Sequence, residues 1–170
     1  VPEHVVGGAM VFPILLQQVA GNIAHVPVRY EPDLSIALGR GLRTDADTLP
    51  PTVKFVTMLG DYLREENYGW HYGVAKNLVP RLRNGYSNVL DDVDFLAMPT
   101  TGHYAHRSEP EASVSEQVLR GISMVVNTGQ FDITGHPAIS IPAAEADGLP
   151  VGVMLVGRHL DDAKLVAAAQ

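Results

Sequence analysis

The stretch NTGQFDITGHPAISIPAAEADGLPVGVMLVGRHLDDAKL, residues 127–165, decides the fold. Within it PAISIPAA and LPVGVMLVG are apolar runs of strand length, rich in Val, Ile and Leu. The Glu145-Ala146-Asp147-Gly148 turn separates them, so the pair reads as an antiparallel hairpin. Asp161 and Asp162 then supply a polar start and favourable charge for a helix over AKLVAAA. A helix of about two turns is marginal in isolation, so it must dock on the strands.

Upstream, DDVDFLAMPTT, residues 91–101, places a short apolar run between acidic residues and Pro99. It does not alternate, a pattern that predicts a strand over Asp94–Met98 buried on both faces of an α/β sheet. Before it, GVAKNLVPRLRNGYSNVL spaces Leu78, Leu82, Tyr86 and Leu90 four residues apart, as on one helical face. Pro80 and Asn84-Gly85 predict that this helix is bent or divided. Val53, Val56, Leu59 and Leu63 predict an amphipathic helix over Thr52–Asn67. Residues 22–51 are rich in Pro and Gly and read as connecting structure around a short helix at Asp33–Leu38. HVVGGAMVFPILLQQVA, from His4, reads as a buried, interrupted helix. Residues 102–116 read as an exposed loop, followed by a short helix carrying Val118, Ile122, Val125 and Val126.

The bulk composition narrows the function classes. A chain of 170 residues has the length of one domain, able to bury roughly 70% of its unfolded surface. Only 18% of its residues are charged, which fits either a well-buried α/β protein or one with apolar surface meant for another piece of polypeptide. The formal charge of -7 argues against nucleic acid or an anionic membrane as the principal partner. The sequence has no cysteine, which excludes disulfides, thiolate zinc sites and a Cys nucleophile.

Candidate chemistry is sparse. The segment nearest to a nucleophile elbow, Gly121-Ile122-Ser123-Met124-Val125, lacks the closing glycine and sits in a predicted helix. No Ser lies three residues before Lys54, Lys76 or Lys164, so a Ser-x-x-Lys pair is absent too. His103 and His106, with Glu109 and Glu111 nearby, could hold a metal or simply belong to a solvated loop. Gly39-Arg40-Gly41 lacks the third glycine of a dinucleotide motif. No metal and no cofactor is assigned. The loop Asn127–Pro137 could let its backbone approach a ligand, or could be a turn whose Asn127, Asp132 and Thr134 satisfy local donors. His136, between Gly135 and Pro137, reads as a satisfied structural histidine or a turn contact. Thr100 and Thr101 follow a strand end, where α/β sheets place sites.

The Asp-led strand ending in Pro-Thr, the Asn-Thr before Phe131, the run Thr-Gly-His-Pro-Ala-Ile-Ser-Ile-Pro, the Gly-Leu-Pro-Val-Gly strand and the Gly-Arg-His-Leu-Asp-Asp cap together resemble the amidase signature enzymes, which hydrolyse carboxamides. The specific likeness runs from Asp91 to Ala168, and the Asp132–Pro137 version is similar to nitrile-pathway members. Met154 departs from the Gln common in that strand. The resemblance implies an α/β/α sandwich around a mixed β-sheet. In it the chain is the C-terminal portion of one domain, with residues 1–90 mainly helical and residues 91–170 forming strands, a substrate-side loop and a capping helix. It implies a Ser-Ser-Lys mechanism whose parts lie in an N-terminal portion, in the same or another polypeptide, so no catalytic residue maps here. It further implies that Ile133, Thr134 and Gly135, with Thr100 and Thr101, face the substrate. The expected partners are a small-molecule amide and the N-terminal portion, with a homodimer when complete and a cytoplasmic location. The alternatives are a non-catalytic, partner-binding module and metal-dependent hydrolysis through His103 and His106.

Overall fold

The computed structural model describes residues 32–68 and 70–170. The helix expected from His4 to Ala20 lies outside them. Helix α1 spans Pro32–Thr44, longer than the expected Asp33–Leu38, and a 3-10 turn at Ala46–Thr48 leads to α2, Pro51–Asn67. Pro51 occupies the first position of α2, where a missing N–H costs nothing, and Tyr68 ends the helix in the left-handed region. The inward face of α2 carries buried Val56 with half-buried Leu59 and Leu63.

Helix α3 runs unbroken from Trp70 to Asp92 through Pro80, where a bend or division was expected. Pro80 and Lys76, the residue four before it, are both exposed. Water can therefore satisfy the carbonyl that proline leaves without a partner. The face that holds the helix down is Ala75, Val79, Leu82, Tyr86 and Leu90, of which Ala75 and Leu90 are fully buried. Leu78, expected on that face, is 41% exposed.

The strands are β1, Leu96–Pro99, β2, Ala138–Ala146, and β3, Leu149–Val156. They form an antiparallel sheet in the order β1-β3-β2. Ala146 pairs with Leu149, so the hairpin loop is Asp147-Gly148 alone, with φ of 52° and 77°. Two consecutive positive φ values suit the right-handed twist of the strands, and Asp-Gly is a dipeptide that tolerates them. The register shifts between Pro142 and Ala144, a bulge that accommodates a proline on an edge strand.

Strand β1 is not buried on both faces. Leu96 and Met98 are half-buried, whereas Ala97 and Pro99 are exposed. An antiparallel ladder sends alternate side chains to opposite faces. Here Leu96 and Met98 pack with Phe131, Met154, Val156 and Tyr86, while no such cluster covers Ala97 and Pro99 among the described residues. Helices flank the sheet, giving the α/β fold with the layering of an α/β/α sandwich. Helix α4, Val114–Ser123, begins within the stretch expected as a loop. Ser113 and Glu116 form a reciprocal capping box, the Glu116 carboxylate accepting from the Ser113 backbone N–H at 2.9 Å. Gly121 lets α4 approach α2: a Cβ there would stand 2.6 Å from Thr52 Oγ1.

Helix α6, Asp162–Ala168, docks through buried Leu165, whose side chain lies beside Gly157. Arg158 closes the end of α3, its Nε donating to the Leu90 carbonyl at 2.7 Å. Among the described residues, no helix is long and apolar enough to cross a membrane.

Candidate functional site

Residues 129–134, read from sequence as loop, form a short helix, α5, Gly129–Thr134. Gly135 terminates it with φ 76° and donates its N–H to Phe131 O. Gly129 and Gly135 give the segment a turn-like composition, but they sit at its ends, and Phe131 and Ile133 anchor it in the interior. The helical phase decides which residues meet a ligand. Thr128, Phe131 and Asp132, at i, i+3 and i+4, share one face. Ile133 and Thr134 take another.

That first face borders an open cleft of about 290 Å³. Its apolar wall is Phe131, Ala138 and Met154; its polar groups are Thr100, Thr128, Ser140, Asp132 and His136. Ala138, Ser140 and Met154 come from β2 and β3, on the same face of the sheet because Ser140 pairs with Met154. Thr100, at the end of β1, donates its N–H to Gly152 O at 3.0 Å, and its hydroxyl lies 2.6 Å from Ser140 Oγ. Gly152 leaves room for that pair: a Cβ there would stand 2.7 Å from Ser140 Oγ and 2.9 Å from Thr100 Oγ1. Asn127 Nδ2 donates to Pro99 O at 2.8 Å and ties the start of α5 to the strand end.

His136 closes the inner end. It is 4% exposed, with Nε2 3.2 Å from Ser87 Oγ and Nδ1 2.9 Å from Thr134 Oγ1. Its ring lies against His159 at 4.1 Å between centroids, tilted by 42°, and meets Tyr86 edge-on. Burial, followed by the charges of His159 and Arg83, pushes its pKa down to about 4. Such an imidazole is neutral at physiological pH and too weak a base to draw the proton from Ser87. Burial also raises the Asp132 carboxyl and the Tyr86 phenol above their ordinary values.

Of the residues expected to face substrate, the structure places Thr100 on the cleft. Thr101 instead donates to His103 O at 2.8 Å. Ile133 packs on Ala75 and Val79. Thr134 is fully buried, with its carbonyl accepting from Arg83 Nε at 2.8 Å. Gly135 lies against His159, whose Cε1 would be 3.4 Å from an added Cβ. These three adjoin the cleft through Asp132 and His136 but turn away from it. Thr128, Phe131 and Asp132 belong to the loop read from sequence as a possible ligand approach, whereas Ala138, Ser140 and Met154 were not read as ligand-facing. The signal that could have found them is phase: a helix over 129–134 and alternation along PAIS.

A second cluster joins His103 and His106 to Ser123. Both imidazole Nε2 atoms reach Ser123 Oγ, at 3.0 and 3.2 Å, and the Ser123 hydroxyl donates to Arg120 O at 2.7 Å. His103 Nδ1 donates to Tyr104 O at 2.9 Å, which leaves its Nε2 an acceptor, so the Arg120 carbonyl and that nitrogen compete for the one Ser123 proton. Among the described residues, no three His, Asp or Glu side chains gather as a metal would need.

The model of the family described as Amidase matches residues 16–166. An uncharacterized protein of the nthA 5′ region of Rhodococcus erythropolis is 38% identical over 139 residues, covering 81% of this chain and 69% of that protein. The enantioselective amidase of Rhodococcus rhodochrous is 36% identical over 142 residues, 82% of this chain and 28% of the enzyme. The chain thus spans under a third of the second relative's length. In fold it is similar to 6-aminohexanoate cyclic dimer hydrolase, with a TM-score of 0.62 and 21% identity over 99% of this chain and 35% of that one. The chain belongs to the amidase family, that of the amidase signature enzymes.

Proposed function

We propose that this chain forms the C-terminal part of a carboxamide hydrolase, walling the acyl side of its cleft, while a Ser-Ser-Lys centre comes from an N-terminal portion in the same or another polypeptide. The observation that carries this reading is the cleft itself. It lies beyond the end of β1 with an apolar wall and a hydroxyl-lined rim, and the one imidazole that lines it, His136, has a lowered pKa and is a weak base. Phe131, Ala138 and Met154 offer an acyl chain an apolar wall, and Thr100, Thr128 and Ser140 can hydrogen-bond its polar atoms. Thr101, Ile133, Thr134 and Gly135 then act by holding the wall in place. In the complete enzyme the Ser hydroxyl attacks the amide carbonyl, backbone N–H groups hold the developing oxyanion, ammonia leaves, and water releases the acid. A fluorophosphonate probe tests the division of labour. The isolated chain should stay unlabelled by mass spectrometry; a phosphonylated serine at position 87 or 123 would defeat it.

A further inference from the structure

Three exposed residues from different parts of the chain meet beside His136: Arg83 on α3, Gly135 at the end of α5, and His159 between β3 and α6. Gly135 adopts φ 76°, and its missing side chain leaves a notch. The heavy atoms nearest to the place a Cβ would fill are His159 Cε1 at 3.4 Å, with Arg83 Nη2 and His159 Nδ1 each at 4.0 Å. Two nitrogen donors thus border the notch, and no carboxylate comes as near. Both side chains are held by one contact each. Arg83 Nε donates to Thr134 O at 2.8 Å, while its Nη groups donate to no described residue. The His159 ring rests on His136 at 4.1 Å between centroids, and its nitrogens have no hydrogen-bond partner among the described residues. Neither forms an ion pair among those residues, although Asp132 and Asp161 are close to Gly135 and His159 in sequence. On a chain of formal charge -7 the overall field repels anions, so a guanidinium and an imidazole left together without a counter-charge mark a local exception.

We propose that Arg83 and His159 bind a small oxyanion, a carboxylate or a phosphate, over Gly135 and outside the cleft. An Arg83 Nη group donates to one oxygen and a ring N–H of His159 to another, and the absent Gly135 side chain gives the anion room. An imidazole can donate in either protonation state, so the site does not require His159 to be charged. His136 joins this site to the cleft, since its ring lines the one and touches His159 in the other. The site stands whether or not the cleft takes a carboxamide.

Amide and imidazole NMR of the 170-residue chain near neutral pH tests it, with sodium phosphate, sodium acetate and sodium chloride added at matched ionic strength. Shifts at Gly135 and His159 should saturate with phosphate, acetate or both, and should not with chloride. Saturation by one oxyanion alone names the anion and upholds the site. Arg83→Gln and His159→Gln should each weaken binding about tenfold, the worth of one charge-assisted hydrogen bond. His159→Gln breaks no protein hydrogen bond among the described residues, so its result stands even where loss of the Arg83–Thr134 bond unsettles α5. Shifts that rise without saturating for both oxyanions, equal saturation by chloride, or an affinity unchanged in His159→Gln overturns the proposal.

Discussion

Acidification should unfold this protein through His136 before most carboxylates titrate. The imidazole is buried among Ser87, Thr134, the Tyr86 and His159 rings and the Arg83 guanidinium, and its pKa falls from 6.5 to about 4. A base whose folded pKa is lowered binds fewer protons in the native state than in the unfolded chain. Its contribution is therefore complete above pH 6.5 and is lost as pH falls toward 4. At about 1.4 kcal/mol per unit, the loss is on the order of 3 kcal/mol, a large share of a domain's stability. Asp94 and Glu116, held low by Lys164 and by Ser113, add losses of the same sign, but at more acid pH. Asp132, raised by burial, opposes them. Comparison with His136→Gln removes these background terms. At about pH 7.5 the variant should be less stable, by about 1–3 kcal/mol for imperfect bonds to Ser87 and Thr134. Urea melts at intervals down to about pH 4 should show that gap closing or inverting. Parallel pH dependences for the two proteins through that window would refute a neutral, buried His136.

Leu90→Ala should cost about 2–5 kcal/mol, since Leu90 is fully buried. Leu78→Ala, at 41% exposure, should cost under about 1 kcal/mol, and urea denaturation of both variants checks the assignment of the α3 face. Ser113→Ala removes the capping box of α4 and should lower stability by about 1 kcal/mol, read by the same assay. Gly152→Ala drives a Cβ into the Thr100–Ser140 pair. It should cost about 1–3 kcal/mol and weaken ligand binding in the cleft, measured by thermal melting and by titration.

The hairpin was legible because Asp-Gly between two apolar runs leaves few alternatives, and the dipeptide sits at the observed turn. The helix over 52–67 was legible from its period. Other elements were hidden where local signals conflict with packing. Pro80 argues for a break, yet the outcome depends on which face its orphaned carbonyl takes, and that face is exposed. Ser113-x-x-Glu116 is a capping signature in the sequence, masked by the polar loop before it. At the cleft, Thr100 followed from its place beyond a strand end. The residues from 131 to 135 could not be sorted without the phase of α5, which turns Asp132 outward and Thr134 inward. His136 as a satisfied structural histidine was the sequence default, and its bonds to Ser87 and Thr134 fill that role. Its partners were not legible, because Ser87 lies 49 residues away.

Ammonia release from butyramide, measured for the chain alone and then with the N-terminal portion of the Rhodococcus rhodochrous enantioselective amidase added, bears most directly on the division of the site. The account predicts no release above buffer by the chain alone and release once the N-terminal portion is added. Turnover by the chain alone would contradict it.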